Sequence, residues 1–390
     1  MKTLHYKYTI YACFIGYITQ AIANNLAPLL FSCFMFDFHL STMQITTFVV
    51  LNFMTQILSD VFASKYADKI GYKKCILFAH LCSFIGLFGL TIFPFIFHPF
   101  IGFMIATIIY AIGSGFIEVL ISPVVEACPT ENKESIMSLL HSFYCWGSVS
   151  VILFSTLFFF LFGKENWYYL PFLWSMIPLF NTFFFSQVEV PTLVETNESM
   201  SLKQLSKHTL FYLLLVLMIM SGACEHAMCQ WASTFFELGL NITKTTGDLL
   251  GPCMFAILMG LSRVFYGNYG HKIHLLRFIQ MSSILCIISY LLVSLSTNSI
   301  FNLIGCALCG LSVGIFWPGV ISIASKSFPK GGTVLFAYMA LAGDVGCVMG
   351  PYMVGLTTSI TNSIQNGYLV ATLFPILLFI FTILYKRKRT

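Results

Sequence analysis

DVFASKYADKIGYKK, residues 60–74, is a charged turn between two apolar segments that are each long enough to cross a bilayer. A related turn, RVFYGNYGHKIHLLR, follows at residues 263–277. A constant offset of 203 residues pairs Asp60 with Arg263, Lys69 with Lys272, and Ile70 with Ile273. Repeats of this kind are typical of membrane proteins built from two similar helical bundles. The turn and its copy therefore predict a chain made of two related halves.

The composition supports a membrane protein. Of 390 residues, 58% are hydrophobic and only 9% are charged, whereas charged residues make up about a quarter of a soluble domain. A transmembrane helix needs roughly 20 apolar residues, so the chain has room for about a dozen crossings joined by short loops. We therefore predict an all-α polytopic membrane protein in the lipid bilayer. The net charge of +5 is the ordinary cytoplasmic bias of such proteins and predicts no nucleic-acid partner.

The apolar segments predict twelve transmembrane helices. Their predicted bounds are 6–35, 43–66, 73–95, 99–126, 134–162, 168–187, 208–239, 246–268, 273–295, 299–327, 332–360 and 365–385. Lys and Arg accumulate on the cytoplasmic side of short loops. With both termini cytoplasmic, 18 of the 20 basic residues fall on that side, and only Lys164 and Lys244 fall in exterior loops. This split predicts that both termini are cytoplasmic.

A polar stretch at the midpoint, VEVPTLVETNESMSLKQLSKH at residues 188–208, has the composition of a linker. We therefore predict an N-terminal six-helix bundle over 1–187, a cytoplasmic linker over 188–207 and a C-terminal six-helix bundle over 208–390. The thirteen cysteines follow no disulfide framework, and Cys306 and Cys309 form a CxxC inside an apolar segment, where we expect two buried small residues. The sequence predicts no metal site and no cofactor.

Acidic residues inside the apolar segments are the strongest functional signal. Glu118, Glu225 and Asp344 fall well within predicted helices, and no Lys or Arg is expected as deep. Charges in the hydrocarbon region are rare and usually mark a pathway, a proton relay or a ligand contact. A carboxylate in a low dielectric tends to take up a proton. We therefore predict proton coupling, with Glu118 as first choice and Glu225 as second, and with Asp344 and His141 as further candidates.

Polar and aromatic side chains recur at helical spacing beside these acids. They predict a site for a neutral polar solute, because amides and hydroxyls match its hydroxyl groups, aromatic rings match its C–H faces, and no buried guanidinium is expected for an anion. The candidates are Gln20, Asn24, Asn25, Asn52, Gln56, His141, Trp146, Glu225, Trp231 and Trp317. The alternative is that these polar stripes only hold helices together. For Asp344 that packing alternative stands equally beside the functional one.

The segment SKYADKIGYKK resembles the loop signature of the major facilitator superfamily, commonly written G-x-x-x-D-R-x-G-R-R. Asp68, Lys69, Gly71 and Lys73 match its pattern, whereas Ser64 and Tyr72 depart from it. The resemblance extends over the chain through the twelve helices and the two halves. It implies a cytoplasmic gate that stabilises the outward-open state, for which the candidates are Asp60, Asp68, Lys69, Gly71, Lys73, Arg263 and Lys272. The alternative for these cations is the ordinary cytoplasmic charge bias.

Within the superfamily, GSGFIEVLISP around Glu118 and CEHAMCQWASTFFE around Glu225 resemble the fucose/proton symporter branch. This resemblance implies a monomeric proton-coupled transporter in the cytoplasmic membrane that moves a small neutral, sugar-like solute by alternating access and is driven by the proton gradient. One alternative is a multidrug or cation antiporter, although the fifth helix lacks the Gly-Pro-x-x-Gly-Gly run of that group. A non-transporting solute sensor is another. An enzyme is not expected, since no catalytic pair lies at helical spacing.

Overall fold

The computed structural model describes residues 6–129, 133–191, 200–269 and 273–389. The apolar segments form helices because a helix satisfies its own backbone hydrogen bonds, which lipid cannot do. Two compact units divide the chain, Met1–Glu195 and Thr196–Thr390.

The first unit contains six long helices whose order follows the chain. They are α1 (Tyr6–Asp37), α2 (Thr42–Ile70), α3 (Tyr72–Ile96), α4 (Pro99–Ala127), α5 (Lys133–Phe162) and α6 (Tyr169–Gln187). Ser41 and Gln44 form a reciprocal capping box at the start of α2. Gly71 alone separates α2 from α3 and has φ +99°, a backbone conformation that favours glycine. The glycine of the charged turn thus lies at the corner between two helices.

The second unit is also helical, with interrupted elements. It contains α7 (Leu202–Leu205), α8 (Thr209–Thr234), α9 (Lys244–Asp248), α10 (Met254–Tyr269), α11 (Leu275–Leu295), α12 (Ser299–Val313), α13 (Phe316–Ser327), α14 (Gly332–Thr361), α15 (Ile364–Ala371) and α16 (Leu373–Arg389). A π-helical segment, Phe235–Gly239, extends α8, and another, Leu249–Cys253, joins α9 to α10. Short breaks divide the predicted tenth crossing into α12 and α13 and the twelfth into α15 and α16.

Eleven helices of the described residues are long and apolar enough to cross a membrane. The predicted sixth crossing corresponds to α6, which has 19 residues but is less apolar because it includes Asn181 and two prolines, Pro171 and Pro178. Helix placement therefore agrees with the sequence over the chain. The cytoplasmic orientation of both termini stays a prediction.

The ends of the midpoint stretch attach to different units. Thr9 Oγ1 donates to the carbonyl of Glu189 at 2.6 Å, and Lys73 Nζ donates to the carbonyl of Val188 at 2.8 Å. On the other side, the Met200 amide donates to the carbonyl of Lys330 at 2.8 Å. The polar stretch is thus anchored to the first unit at its start and to the second unit at its end.

Candidate functional site

A buried polar cluster lies in the first unit where α1, α2 and α4 pack together. Its centre on α4 is Glu118, whose Oε2 accepts a hydrogen bond of 2.7 Å from Gln20 Nε2 on α1. Gln20 is 5% exposed, whereas Glu118 is half-buried. The carboxylate is therefore bonded to a neutral amide and is only partly buried.

One helical turn further along α1, Asn24 joins the cluster to α2. Asn24 Oδ1 accepts hydrogen bonds from Gln56 Nε2 at 2.9 Å and from Asn52 Nδ2 at 3.3 Å. Ser114 Oγ on α4 donates to Gln56 Oε1 at 3.3 Å. We call the set Gln20, Asn24, Asn52, Gln56, Ser114 and Glu118 the amide cluster. Helical spacing predicted that these residues share faces, and the structure brings the faces together.

Residues of α5 line the edge of the amide cluster. Asn24 Nδ2 donates to Tyr144 Oη at 3.5 Å, and Asn25 Nδ2 donates to Ser148 Oγ at 3.0 Å. The His141 ring lies edge-on to Tyr17, with ring centroids 5.3 Å apart, and the Tyr17 hydroxyl bonds Ser122 one turn after Glu118 at 2.8 Å. These contacts place His141 beside the cluster.

Gly115 lets α2 and α4 approach closely beside this cluster. A Cβ atom at Gly115 would lie 2.8 Å from the Gln56 carbonyl oxygen and 3.0 Å from Asp60 Oδ1. Asp60 is 7% exposed and lies one turn after Gln56 on α2. It is therefore a buried neighbour of the amide cluster as well as a member of the predicted gate.

The structure describes the other predicted gate residues to different extents. Gly71 forms the corner between α2 and α3, Lys69 is exposed in the last turn of α2, and Lys73 is bound to the Val188 carbonyl. The helix position of Asp68 is described but its side chain is not, and Lys272 lies outside the described residues. The gating role of these residues stays a prediction.

An ion pair in the second unit corrects the prediction that no cation lies as deep as the acids. Arg263 Nη2 on α10 lies 3.6 Å from Glu225 Oε2 on α8, and their side chains are 24% and 7% exposed. The predicted crossing at 246–268 already includes Arg263, and α10 continues to Tyr269; what the prediction lacked is the contact of the guanidinium with Glu225. The two side chains carry opposite charges, so the ion pair has no net charge.

A second buried cation is Lys244, which was predicted to lie in an exterior loop and is the first residue of α9. Lys244 is 5% exposed and pairs with Asp248 at 3.1 Å and with Glu237 at 3.5 Å. Ser233 Oγ accepts from Lys244 Nζ at 2.8 Å and donates to Asp248 Oδ1 at 2.6 Å. Sequence analysis missed this group because the residues flank a short turn rather than an apolar run. The i,i+4 spacing of Ser233 with Glu237 and of Lys244 with Asp248 is the signal that could have found it.

The three tryptophans predicted to contact a solute differ in their exposure. Trp231 is fully buried and donates its indole N–H to the carbonyl of Pro351 at 3.1 Å, and its contact with a solute stays a prediction. Trp146 is 46% exposed on α5. The half-buried ring of Trp317 packs over Gly343, where a Cβ atom would lie 2.2 Å from the ring. The ring of Trp231 is thus enclosed, whereas Trp146 and part of Trp317 remain exposed.

Asp344 lies at a close helix contact in the second unit. It is 4% exposed on α14, beside Gly343, whose carbonyl oxygen would lie 2.2 Å from a Cβ atom at Gly222 of α8. Cys347 Sγ, one turn further along α14, lies 3.3 Å from His226 Nδ1 of α8. The packing alternative for Asp344 thus has direct support, and its proton role stays a prediction.

Cys306 and Cys309 are both fully buried. Among the residues that the structure describes, no group of metal ligands is assembled.

The family follows from comparison with known proteins. The family model described as Major Facilitator Superfamily matches residues 13–351. The chain belongs to the major facilitator superfamily. It is therefore a multi-pass membrane protein with a transporter fold, and the resemblance seen in the charged turn is confirmed. A search of curated protein sequences finds no match.

Solved structures of this superfamily share the fold across the chain. The D-xylose-proton symporter is 13% identical with a TM-score of 0.81, covering 97% of both chains. A mutant of the nucleoside transporter NupG is 10% identical with a TM-score of 0.79, covering 97% of this chain and 99% of that one. A mutant of the E. coli fucose:proton symporter FucP is 14% identical with a TM-score of 0.68, covering 98% and 99%. At these identities the likeness establishes the fold.

Proposed function

We propose that this superfamily member is a proton-coupled secondary transporter for a small neutral polar solute, sugar-like in its hydroxyl groups, working by alternating access. The observation that carries the proposal is the 2.7 Å hydrogen bond from Gln20 to the half-buried carboxylate of Glu118. Support also comes from the fold shared with a xylose and a fucose proton symporter. We propose a transporter and not an enzyme. It needs no cofactor, and the proton gradient supplies its energy.

The Gln20 amide suits a carboxyl group that changes its protonation state. When Glu118 is ionised, Gln20 donates through Nε2, as in this structure. When Glu118 is protonated, the amide oxygen of Gln20 can accept the new hydroxyl hydrogen after a rotation of the amide, because an amide carries both a donor and an acceptor. Glu118 is therefore our proposed proton carrier.

The amide cluster also suits a hydroxyl-rich solute. Asn24, Asn52 and Gln56 bond one another and the hydroxyl groups of Ser114 and Tyr144. All these partners are neutral, so a solute hydroxyl can replace these contacts without stranding a charge. Neutral polar ligands are bound by a few such groups placed precisely in an otherwise apolar site. The substrate role of the cluster, with His141 at its edge on α5, follows from this chemistry, and Trp146 on the same helix is a further proposed contact.

One cation in the second unit bears on the charge of the solute. The second unit does contain a guanidinium, but Arg263 is neutralised by Glu225. An anionic solute would have to compete with that carboxylate for the same cation. We therefore propose that Glu225 and Arg263 contribute polar contacts or conformational control, with Glu225 as the second proton candidate. The gate role of the charged turn, a monomeric state and a cytoplasmic-membrane location with both termini cytoplasmic complete the proposal.

The decisive experiment is uptake into proteoliposomes under an imposed pH gradient. A thermal-shift screen of the purified protein against sugars, nucleosides, amino acids and cationic drugs first selects the solute. Glu118→Gln should lose accumulation above the solute's own equilibrium while still exchanging solute across the membrane. Glu126→Gln, an exposed position on the same helix, should accumulate solute like the wild type.

Other outcomes separate the alternatives. Gradient-driven accumulation that survives in Glu118→Gln would show that coupling lies elsewhere. Selection of cationic drugs in the screen, with proton-driven efflux, would favour the antiporter. Solute binding without counterflow in the wild type would indicate a sensor.

A further inference from the structure

One acceptor of the amide cluster has no partner among the residues that the structure describes. Asn52 is 5% exposed on α2, and its Nδ2 donates to Asn24 Oδ1 at 3.3 Å. Its Oδ1 is buried, and no described side chain or backbone group donates to it. Buried polar atoms in native proteins are nearly always hydrogen-bonded, and each exception calls for an explanation.

The two amides next to Asn52 differ from it in this respect. Asn24 Oδ1 accepts from Asn52 and from Gln56 Nε2, the latter at 2.9 Å. Gln56 Oε1 accepts from Ser114 Oγ at 3.3 Å. The side-chain oxygens of Asn24 and Gln56 are therefore used within the protein. Among the described contacts of these three amides, the oxygen of Asn52 is the acceptor that stays open to a group from outside.

A rotation of the Asn52 amide does not supply the missing donor. Turning this group over would bring its oxygen against Asn24 Oδ1, which already accepts two hydrogen bonds. Two acceptors would then face each other, and Asn24 would lose one of its donors. The orientation in the structure is the one that satisfies Asn24. It leaves Asn52 Oδ1 for a donor that the neighbouring amides do not provide.

Asn52 lies at the depth where a transported solute is expected to bind. It follows Thr42, the first residue of α2, by ten positions, which corresponds to about 15 Å along a helix. The hydrocarbon region of a bilayer is about 30 Å thick, so this residue falls near its middle. Transporters place their solute sites near the midplane of the bilayer. The open acceptor is therefore located where a solute can supply the donor.

We propose that Asn52 Oδ1 accepts a hydrogen bond from one hydroxyl group of a polyhydroxylated solute. This inference rests on the proposed function and adds a requirement to it. The solute hydroxyl must give its hydrogen to Asn52, so a fluorine atom or an ether oxygen at the same position cannot replace it. A buried acceptor without a donor costs stability, and a solute hydroxyl that reaches Oδ1 recovers this cost on binding. Asn52 thus determines specificity.

Binding of solute analogues to the wild type tests the requirement for a donor. The solute selected by the thermal-shift screen is compared with analogues in which one hydroxyl at a time is replaced by hydrogen or by fluorine. At one position of the solute, both replacements should raise Kd about tenfold, because fluorine cannot donate a hydrogen bond. If the fluorine analogues bound as tightly as the parent solute at every position, the proposal would be wrong.

The variant Asn52→Leu assigns this requirement to a side chain. Leucine has a similar shape and no acceptor, so Kd for the parent solute should rise about tenfold, whereas the analogue lacking the critical hydroxyl should bind both proteins equally. Thr46→Val is the control, because Thr46 is a buried polar residue of α2 whose hydroxyl bonds the Thr42 carbonyl at 2.8 Å. An equal loss of affinity for the parent solute and for every analogue in Asn52→Leu would overturn the assignment.

Thermal stability without solute is a second readout that needs no ligand. Asn52→Leu removes an acceptor that lacks a donor, and Asn24 Oδ1 keeps the hydrogen bond from Gln56. The melting temperature of the solute-free variant should therefore equal or exceed that of the wild type, as expected for a residue that serves function at a cost to stability. A residue that only holds α1 and α2 together predicts a lower melting temperature, and that result would contradict the proposal.

The binding measurements use no proton gradient, so they separate this inference from the proposed coupling. Failure of gradient-driven uptake, with the expected pattern of analogue binding, would contradict the coupling and support the assignment of Asn52. Proton-driven uptake by a wild type that tolerates fluorine at every position would contradict the assignment of Asn52 alone.

Discussion

Glu118 on α4 and Glu225 on α8 are both acids inside apolar helices, but different chemistry holds them. Glu118 accepts from the Gln20 amide at 2.7 Å, whereas Glu225 lies 3.6 Å from the Arg263 guanidinium. A guanidinium only donates and stays charged, so it favours the ionised acid, whereas an amide can donate or accept. The comparison teaches that the partner, and not the presence of an acid, decides which carboxyl group is suited to release and take up a proton.

The largest expected effect is on the Glu225 ion pair. Arg263→Met leaves a buried carboxylate without its cation and should lower the free energy of unfolding by about 3 kcal/mol, the low end for a buried pair, because the arginine is 24% exposed. Denaturation in detergent measures the change. The double variant Arg263→Met with Glu225→Gln should recover most of the loss. A single variant as stable as the wild type would show that Glu225 does not depend on this partner.

A smaller loss of folding stability is expected from a substitution where α4 contacts α2 beside Glu118. Gly115→Val introduces atoms against the Gln56 carbonyl and Asp60, and overpacking of this kind costs about 2 kcal/mol. Solute binding should weaken as well, because the displaced atoms belong to the amide cluster. Ile101→Val, at an exposed position of α4, is the control. Normal binding by Gly115→Val would separate this helix contact from the solute site.

The amide cluster predicts a selective effect on affinity. Asn24→Ala removes the acceptor shared by Asn52 and Gln56 and should raise the solute Kd roughly tenfold, about 1.4 kcal/mol. Thr19→Val is the matched control on α1, because the Thr19 hydroxyl bonds only the Ile15 carbonyl among its described contacts. Calorimetry or thermal-shift titration measures both variants. An equal loss of solute affinity in both variants would indicate that Asn24 serves helix packing and does not bind the solute.

The smallest expected effect sharpens the opening comparison. Glu118→Gln should change the free energy of unfolding by less than about 1 kcal/mol, because a glutamine still accepts a hydrogen bond from Gln20. The measurement is the same denaturation used for Arg263→Met. If Glu118→Gln were equally destabilising, Glu118 would be held as a charge, and the contrast with Glu225 would disappear.

Helix positions were predictable because the signals for each membrane crossing come from residues that are neighbours in the sequence. Roughly 20 apolar residues, a charged turn and a glycine at position 71 specify α2, α3 and their corner without any distant contact. The amide cluster was predictable in part for the same reason. Asn52 and Gln56 lie one turn apart on α2, so the sequence places them on one face.

The partners of the charged residues were not predictable in this way. Arg263 and Glu225 are 38 positions apart, on α10 and α8. Lys244 was predicted as a loop cation, and its contact with Glu237 exists only because the turn between α8 and α10 brings the two side chains together. Trp231, expected to face a solute, is enclosed by packing that involves the Pro351 carbonyl of α14. Which side chains meet across helices depends on helix rotation and packing, and hydropathy alone does not encode these.

The sequence by itself therefore determined the membrane class, the two-part organisation, the helix positions and the superfamily, because hydrophobic length and turn chemistry act over neighbouring residues. Only the tertiary structure decided that Glu118 faces an amide, that Glu225 faces a guanidinium and that Lys244 is buried between two acids. These assignments decide which acid suits a proton. They depend on distances of about 3 Å between residues far apart in the chain, which only the packed helices set.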